Sequence, residues 1–238
     1  MSGEVAIMRA KLLNADALDE QARVLEGLLA TGNFEQIQNA LKTCAQLFDR
    51  FYAEKDRRSQ LEEMMKASWD KLPMTIRIDL LMELAEFALD HEDRGKALEL
   101  VNEIQHIMES AKWLPRHHIP MVARLAELRF RSGDEEKAKS EANAALAMFD
   151  ESRDKIVDIF RPETLVPLAE AYHAMGDRSS ALMVYKKAVE EGVVNPNSRP
   201  RSEDLAATCC SMAVHGFEPD VDLRNRINQI YDELGPPW

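Results

Sequence analysis

The stretch Leu165–Ala188, LVPLAEAYHAMGDRSSALMVYKKA, constrains the fold more than any other. Its apolar and small residues fall at Leu165, Leu168, Ala169 and Tyr172. After Gly176-Asp177 they resume at Ala181, Leu182, Tyr185 and Ala188. Both sets keep the spacing of one helical face. Gly176 suits the left-handed conformation that ends a helix, and Asp177 suits the cap of the next. The stretch therefore predicts two short amphipathic helices folded back on each other. Ala169 and Ala181 let the backbones approach, while Leu168, Tyr172 and Tyr185 fill the seam.

The phrase recurs along the chain. Ala22, Leu25, Leu28 and Leu29 precede Gly32-Asn33, and Ile37, Leu41, Cys44, Ala45 and Phe48 follow, in a helix that can run on through Tyr52. An additional helix is predicted over 61–69, before Pro73. Leu81, Leu84, Ala85 and Ala88 precede the turn His91-Glu92-Asp93-Arg94, which lacks a glycine at the usual place. Ala97, Val101, Ile104 and Ile107 follow. Trp113-Leu114-Pro115 closes that phrase, and Arg116-His117-His118 leads, as a loop, into Pro120. Val122, Leu125, Ala126 and Arg129 then precede Gly133-Asp134, with Ala138, Ala142, Ala145 and Phe149 after it. Arg129 stands where Tyr172 stands in the defining stretch, which predicts a weakened seam. VVNPNSRPRSE, residues 193–203, reads as a loop. Leu205, Ala206, Cys209 and Met212, then Gly216, then Leu223, Ile227, Ile230 and Leu234 make a last pair. Residues 1–16 make a helix around Val5, Met8 and Leu12 or fray.

This pattern of a small residue before an aromatic, a Gly-Asp turn, then Ala, aromatic and Ala resembles the tetratricopeptide repeat. The turn residues Gly32, Glu92, Gly133, Gly176 and Gly216 recur at intervals of 60, 41, 43 and 40, against about 34 in the family. The resemblance is therefore to its long-repeat members, and the longest interval holds the additional helix. It implies an all-α fold, a right-handed superhelical solenoid of antiparallel helix pairs. The organisation expected is an N-terminal helix or tail (1–17), helical repeats (18–192), a loop (193–203) and a C-terminal repeat-like or capping pair (204–238). Helix pairs of this kind bury their apolar faces by stacking.

Composition narrows the function. A formal net charge of -12 repels phosphate backbones, so nucleic acid is a poor partner. The amino terminus, MSGEVAIMRAKLL, lacks the apolar core of a signal peptide, and no run approaches the roughly 20 apolar residues that span a bilayer. Cys44, Cys209 and Cys210 form no disulfide framework, which argues for a reducing compartment. The expectation is a cytoplasmic protein, or a cytoplasmic piece of a larger chain, with no membrane partner.

One column carries the binding hypothesis. A glutamate stands six residues before four of the turn residues: Glu26, Glu86, Glu127 and Glu170. The last three lie about 200° round the helix from the seam leucine two residues earlier, so the seam excludes them. The resemblance would place them along the concave groove, where the family docks peptides and partner helices. Met82, Phe130 and His173 complete that candidate surface. Neighbouring charges at ~10 Å in water repel by only roughly 0.4 kcal/mol, so such a ladder is tolerable empty and attracts a basic peptide. Exposed helical glutamate is equally a solvated face. The family's two-carboxylate clamp of lysine, arginine and asparagine is not supplied by Met82, Ala123, Glu127, Val166 and Glu170; Arg124 and Arg131 are the nearest basic residues.

Nothing in the sequence builds a catalytic or metal centre. His117-His118 has no second ligand pair at suitable spacing, and Cys209 or Cys210 with His215 lacks an orienting group. No phosphate loop, dinucleotide motif or paired-cysteine motif occurs. The 12 methionines serve as core filler or adaptable contact surface, and Trp238 caps the last pair or docks a second molecule. No cofactor is implied. The reading is a protein–protein interaction scaffold, not an enzyme. The alternatives are a unit that self-associates through an end helix pair, or a regulatory module of a larger protein.

Overall fold

In the computed structural model, residues 23–25, 27, 28, 30, 34–68, 72–195 and 197–234 are described, and among them all regular structure is helical. The expectations for residues 1–16, Glu26, Gly32-Asn33, Trp69 and Trp238 lie outside the described residues. The helices are α1 (Phe34–Arg50), α2 (Lys55–Ala67), α3 (Met74–Asp90), α4 (Arg94–Glu109), α5 (Pro115–Arg131), α6 (Glu135–Ser152), α7 (Arg161–Ala174), α8 (Arg178–Val193), α9 (Ser198–Val214) and α10 (Val221–Glu233). The chain divides into two units, Met1–Ile107 and Met108–Trp238.

Four turns share one backbone solution. The N–H groups of Asp93, Asp134, Asp177 and Phe217 donate to the carbonyls of Ala88, Arg129, Tyr172 and Met212, five residues back, at 2.8, 3.2, 2.9 and 2.8 Å. The residue before each donor is left-handed: Glu92 (φ 59°), Gly133 (100°), Gly176 (77°) and Gly216 (66°). This is the Schellman ending of a helix. Its repetition explains the turn that lacks a glycine: Glu92 adopts the conformation glycine takes elsewhere. Three next helices are capped by aspartate. Asp93 accepts from the Lys96 N–H (3.0 Å), Asp177 from that of Ser180 (3.0 Å) and Asp220 from that of Leu223 (2.8 Å), each satisfying a donor that the first turn leaves open.

In the first unit, α1 packs against α2 and α3. Leu41, Cys44, Ala45 and Phe48 are fully buried, as are Leu61 and Met65 of α2. Helix α2 is the additional helix within the 60-residue interval. It starts six residues earlier than the apolar pattern predicts, because its first turn and a half is polar. Glu62 fixes it: Lys66 approaches to 2.8 Å and Lys96 to 2.8 Å. Burial pushes the Glu62 carboxyl up, but the hydrogen bonds from both lysines outweigh that and hold it below the usual range.

In the second unit, α5 packs on α6 and α7, α7 on α8, and α9 against both α7 and α8. The expected seam is present. Leu165, Leu168, Ala169, Ala181, Tyr185 and Ala188 are fully buried, and Tyr172 nearly so. The Tyr172 hydroxyl donates to Asn143 on α6 at 2.8 Å.

In the seam that Arg129 is expected to weaken, the arginine is accommodated as a buried ion pair. It is 0% exposed, and its guanidinium meets Glu141 at 2.9 Å and Asp134 at 3.5 Å, so the buried charge is paired. Two sequence expectations are corrected. Helix α5 begins at Pro115 and runs through Pro120, so His117-His118 is helical rather than a loop. Of the loop expected over 193–203, Val193 belongs to α8 and the residues from Ser198 onward belong to α9. Pro200 sits in its first turn, where a missing N–H costs nothing.

Candidate functional site

Aligning α5, α7 and α9 on Gly133, Gly176 and Gly216 puts Glu127, Glu170 and Cys210 in one equivalent position, and Phe130, His173 and Ala213 in another. On α7 these positions receive the next pair. The Ser211 hydroxyl donates to Glu170 Oε1 at 2.6 Å, and His215 Nδ1 lies 3.6 Å from the same oxygen. His173 Nε2 is 3.0 Å from the His215 carbonyl and donates to it. The His173 ring stands edge-on to Phe217 at 5.3 Å. Ser211 also meets the Tyr185 hydroxyl at 2.9 Å, which completes a polar chain Tyr185–Ser211–Glu170 beneath α9. Burial is the main cause pushing the Tyr185 phenol up; the Ser211 hydrogen bond opposes it, and the Glu170 charge adds a smaller raise.

The predicted groove residues therefore divide. Glu170 and His173 are half-buried and bonded within the chain. Phe130 is half-buried against the core of the second unit. Glu127 and Glu86 are half-buried; beside Glu86, the Glu83 carboxyl is pushed up by burial, with Lys42 opposing and Glu86 adding. Met82 is 0% exposed and so is corrected from groove to core: it lies on a face of α3 that packing covers. Glu26 lies outside the described residues. Glu86 belongs to the first unit, and Glu127 and Glu170 to the second.

The surface that the sequence reading missed is on α9. Ala206, Ala207, Cys210, Ala213 and Val214 are exposed, Val214 by 81%. They are the equivalents of Val166, Pro167, Glu170, His173 and Ala174 on α7. The opposite side of α9, with Leu205, Cys209 and Met212, faces the core. Ala206, expected with that side, is turned outward. The signal was present in DLAATCCSMAV, a helix apolar on two sides rather than one. Tyr231 and Val221 on α10 are exposed by 71% and 70%.

Among the described residues no group of three or more His, Cys, Asp or Glu side chains is placed to hold a metal ion, and no helix is long and apolar enough to cross a membrane. Comparison with known protein families, with curated proteins and with solved structures returns no match.

Proposed function

We propose that the chain is a protein–protein interaction scaffold of the tetratricopeptide-like, solenoidal kind, and that a partner helix docks on the open side of α9. One observation carries this reading: the face of α7 that receives α9 has its equivalent on α9 exposed, and there it is more apolar. Cys210 and Ala213 replace Glu170 and His173. Small side chains let a second helix approach closely, and an apolar stripe rewards one with bulky apolar residues. The basic peptide favoured by the glutamate column is the weaker choice for the second unit, because Glu170 is bonded to Ser211 and Glu127 stands between Arg124 and Arg131 on its helix.

The test is affinity capture from the native cell with wild type, Ala207→Glu, and the charge reversal Glu86→Lys/Glu127→Lys/Glu170→Lys. The reading expects Ala207→Glu to lose its partner at least tenfold and the charge reversal to keep it. Retention by Ala207→Glu with loss in the charge reversal would return the site to the glutamate column. Self-association is a second reading, favoured by the exposure of Val214, Val221 and Tyr231 on the last pair. Light scattering decides it: a dimeric mass that Ala207→Glu reduces to a monomer makes the partner another copy.

A further inference from the structure

The junction of α8, α9 and α10 encloses a small recess lined by Val189, Gly192, Leu205 and Ile230 together with Arg201 and Asp204. The recess is mostly apolar, yet it holds two charged groups whose inner atoms are unanswered. Asp204 Oδ2 and Arg201 Nε are buried without a hydrogen-bond partner among the described residues. The Asp204 side chain lies across the α8 backbone: a methyl group on Gly192 would stand 3.4 Å from its Cβ and 3.9 Å from Oδ2. The same methyl would stand 3.6 Å from Pro162, so the first turn of α7 closes the other side. Asp204 is thus pressed against the seat that α9 takes on the rest of the second unit.

We propose that Asp204 is a proton-operated catch: α9 seats on α8 with the Asp204 carboxyl protonated, and ionisation loosens that seat. An unpaired carboxylate in an apolar recess is costly, whereas a neutral carboxyl is far less so. The surrounding charges agree. Glu163 of α7 and Glu203 of the helix that carries Asp204 both repel a negative charge there. Arg199 is bonded to Glu203 at 2.8 Å. On α8, Glu191 is turned to Arg153 and Arg161, and Glu190 to Arg226 of α10. Among the described residues Arg201 is the cation that lines the recess, and its inner nitrogen makes no bond to the carboxylate. Burial, with Glu163 and Glu203 adding, raises the Asp204 carboxyl from 3.8 to about 6.

The sign follows from proton uptake. A carboxyl raised in the seated state stabilises that state fully below the unseated value, and the gain is lost as pH rises through the seated value. Between pH 5 and 7.5 the seating equilibrium of α9 falls about tenfold, and above pH 7 it is flat. Because α9 also carries the open apolar face, the catch would set how firmly that face is held.

Hydrogen exchange of residues 198–214, corrected for the intrinsic pH dependence of exchange and referenced to α5 and α6, reads the seat directly. The expected result is a roughly tenfold loss of protection from pH 5 to 7.5 in the wild type, and none in Asp204→Asn. Equal pH slopes in the two proteins would overturn the proposal. Should Asp204→Asn fail to fold, Glu163→Gln/Glu203→Gln serves. Removing the repelling carboxylates moves the protection midpoint, and the carboxyl-carbon titration of Asp204, to lower pH. A wild-type Asp204 that titrates near 4, or a midpoint unmoved in that double variant, overturns it equally.

Discussion

Two residues decide local outcomes that their types alone disfavour. Glu92 holds φ 59°, a conformation that costs a side-chain-bearing residue about 1 kcal/mol, in a turn whose three counterparts carry glycine. Glu92→Gly relieves that strain and should raise the first unit's stability by about 0.5 kcal/mol at most after the added freedom of the unfolded chain is counted. The mirror experiment is Gly133→Ala. A methyl there meets nothing within 4 Å, so its cost, about 1 kcal/mol, is conformational alone. Urea midpoints read both. Arg129 is the second case. Its partner Glu141 is pushed up by burial, with Arg129 opposing, so the pair is held at some cost by the seam around it. Glu141→Ala takes the nearer carboxylate from the buried guanidinium and should destabilise by up to about 3 kcal/mol, whereas Arg129→Met with Glu141→Leu should be near neutral. Denaturant unfolding of the single and double variants distinguishes these outcomes.

Helix boundaries follow from caps more than from apolar spacing. Asp177 accepts the Ser180 N–H and both the Ser179 and Ser180 hydroxyls. The backbone bond, first of these, holds its carboxyl below the usual range. A lowered carboxyl stabilises the fold above the unfolded value and loses that contribution as pH falls through the folded one. Asp177→Ala should therefore cost about 1 kcal/mol at pH 7, and the gap from wild type should close below about pH 4 in acid-unfolding curves. The helical faces around such caps were legible from the sequence, because three-and-four spacing and a Gly-Asp pair are local signals. The start of α2 at Lys55, of α5 at Pro115 and of α9 at Ser198 was not. Polar or proline-containing first turns carry no apolar period, and neighbouring packing decides whether they wind.

At the scale of the chain, all-helical structure was legible because 10 prolines and 9 glycines in 238 residues leave few breaks, and the breaks fall between apolar faces. The candidate site was legible only as a column. The sequence places Glu170 and His173 on a side away from their own seam, but spacing within one helix cannot say whether the following helix will cover that side. Ser211, His215 and Phe217 lie some 40 residues downstream, and only the folded second unit brings them onto Glu170 and His173. The same reasoning explains Met82. A methionine among Leu80, Leu81 and Leu84 belongs to a helix buried on more than one side, which a one-face pattern does not capture.

The shared backbone corner at residues 92, 133, 176 and 216 has a consequence for ancestry. Within the second unit, a segment cut from residue 133 to 176, or from 176 to 216, starts and finishes in the same main-chain geometry. A duplication bounded by two such corners would therefore meet matching main chain at both of its ends.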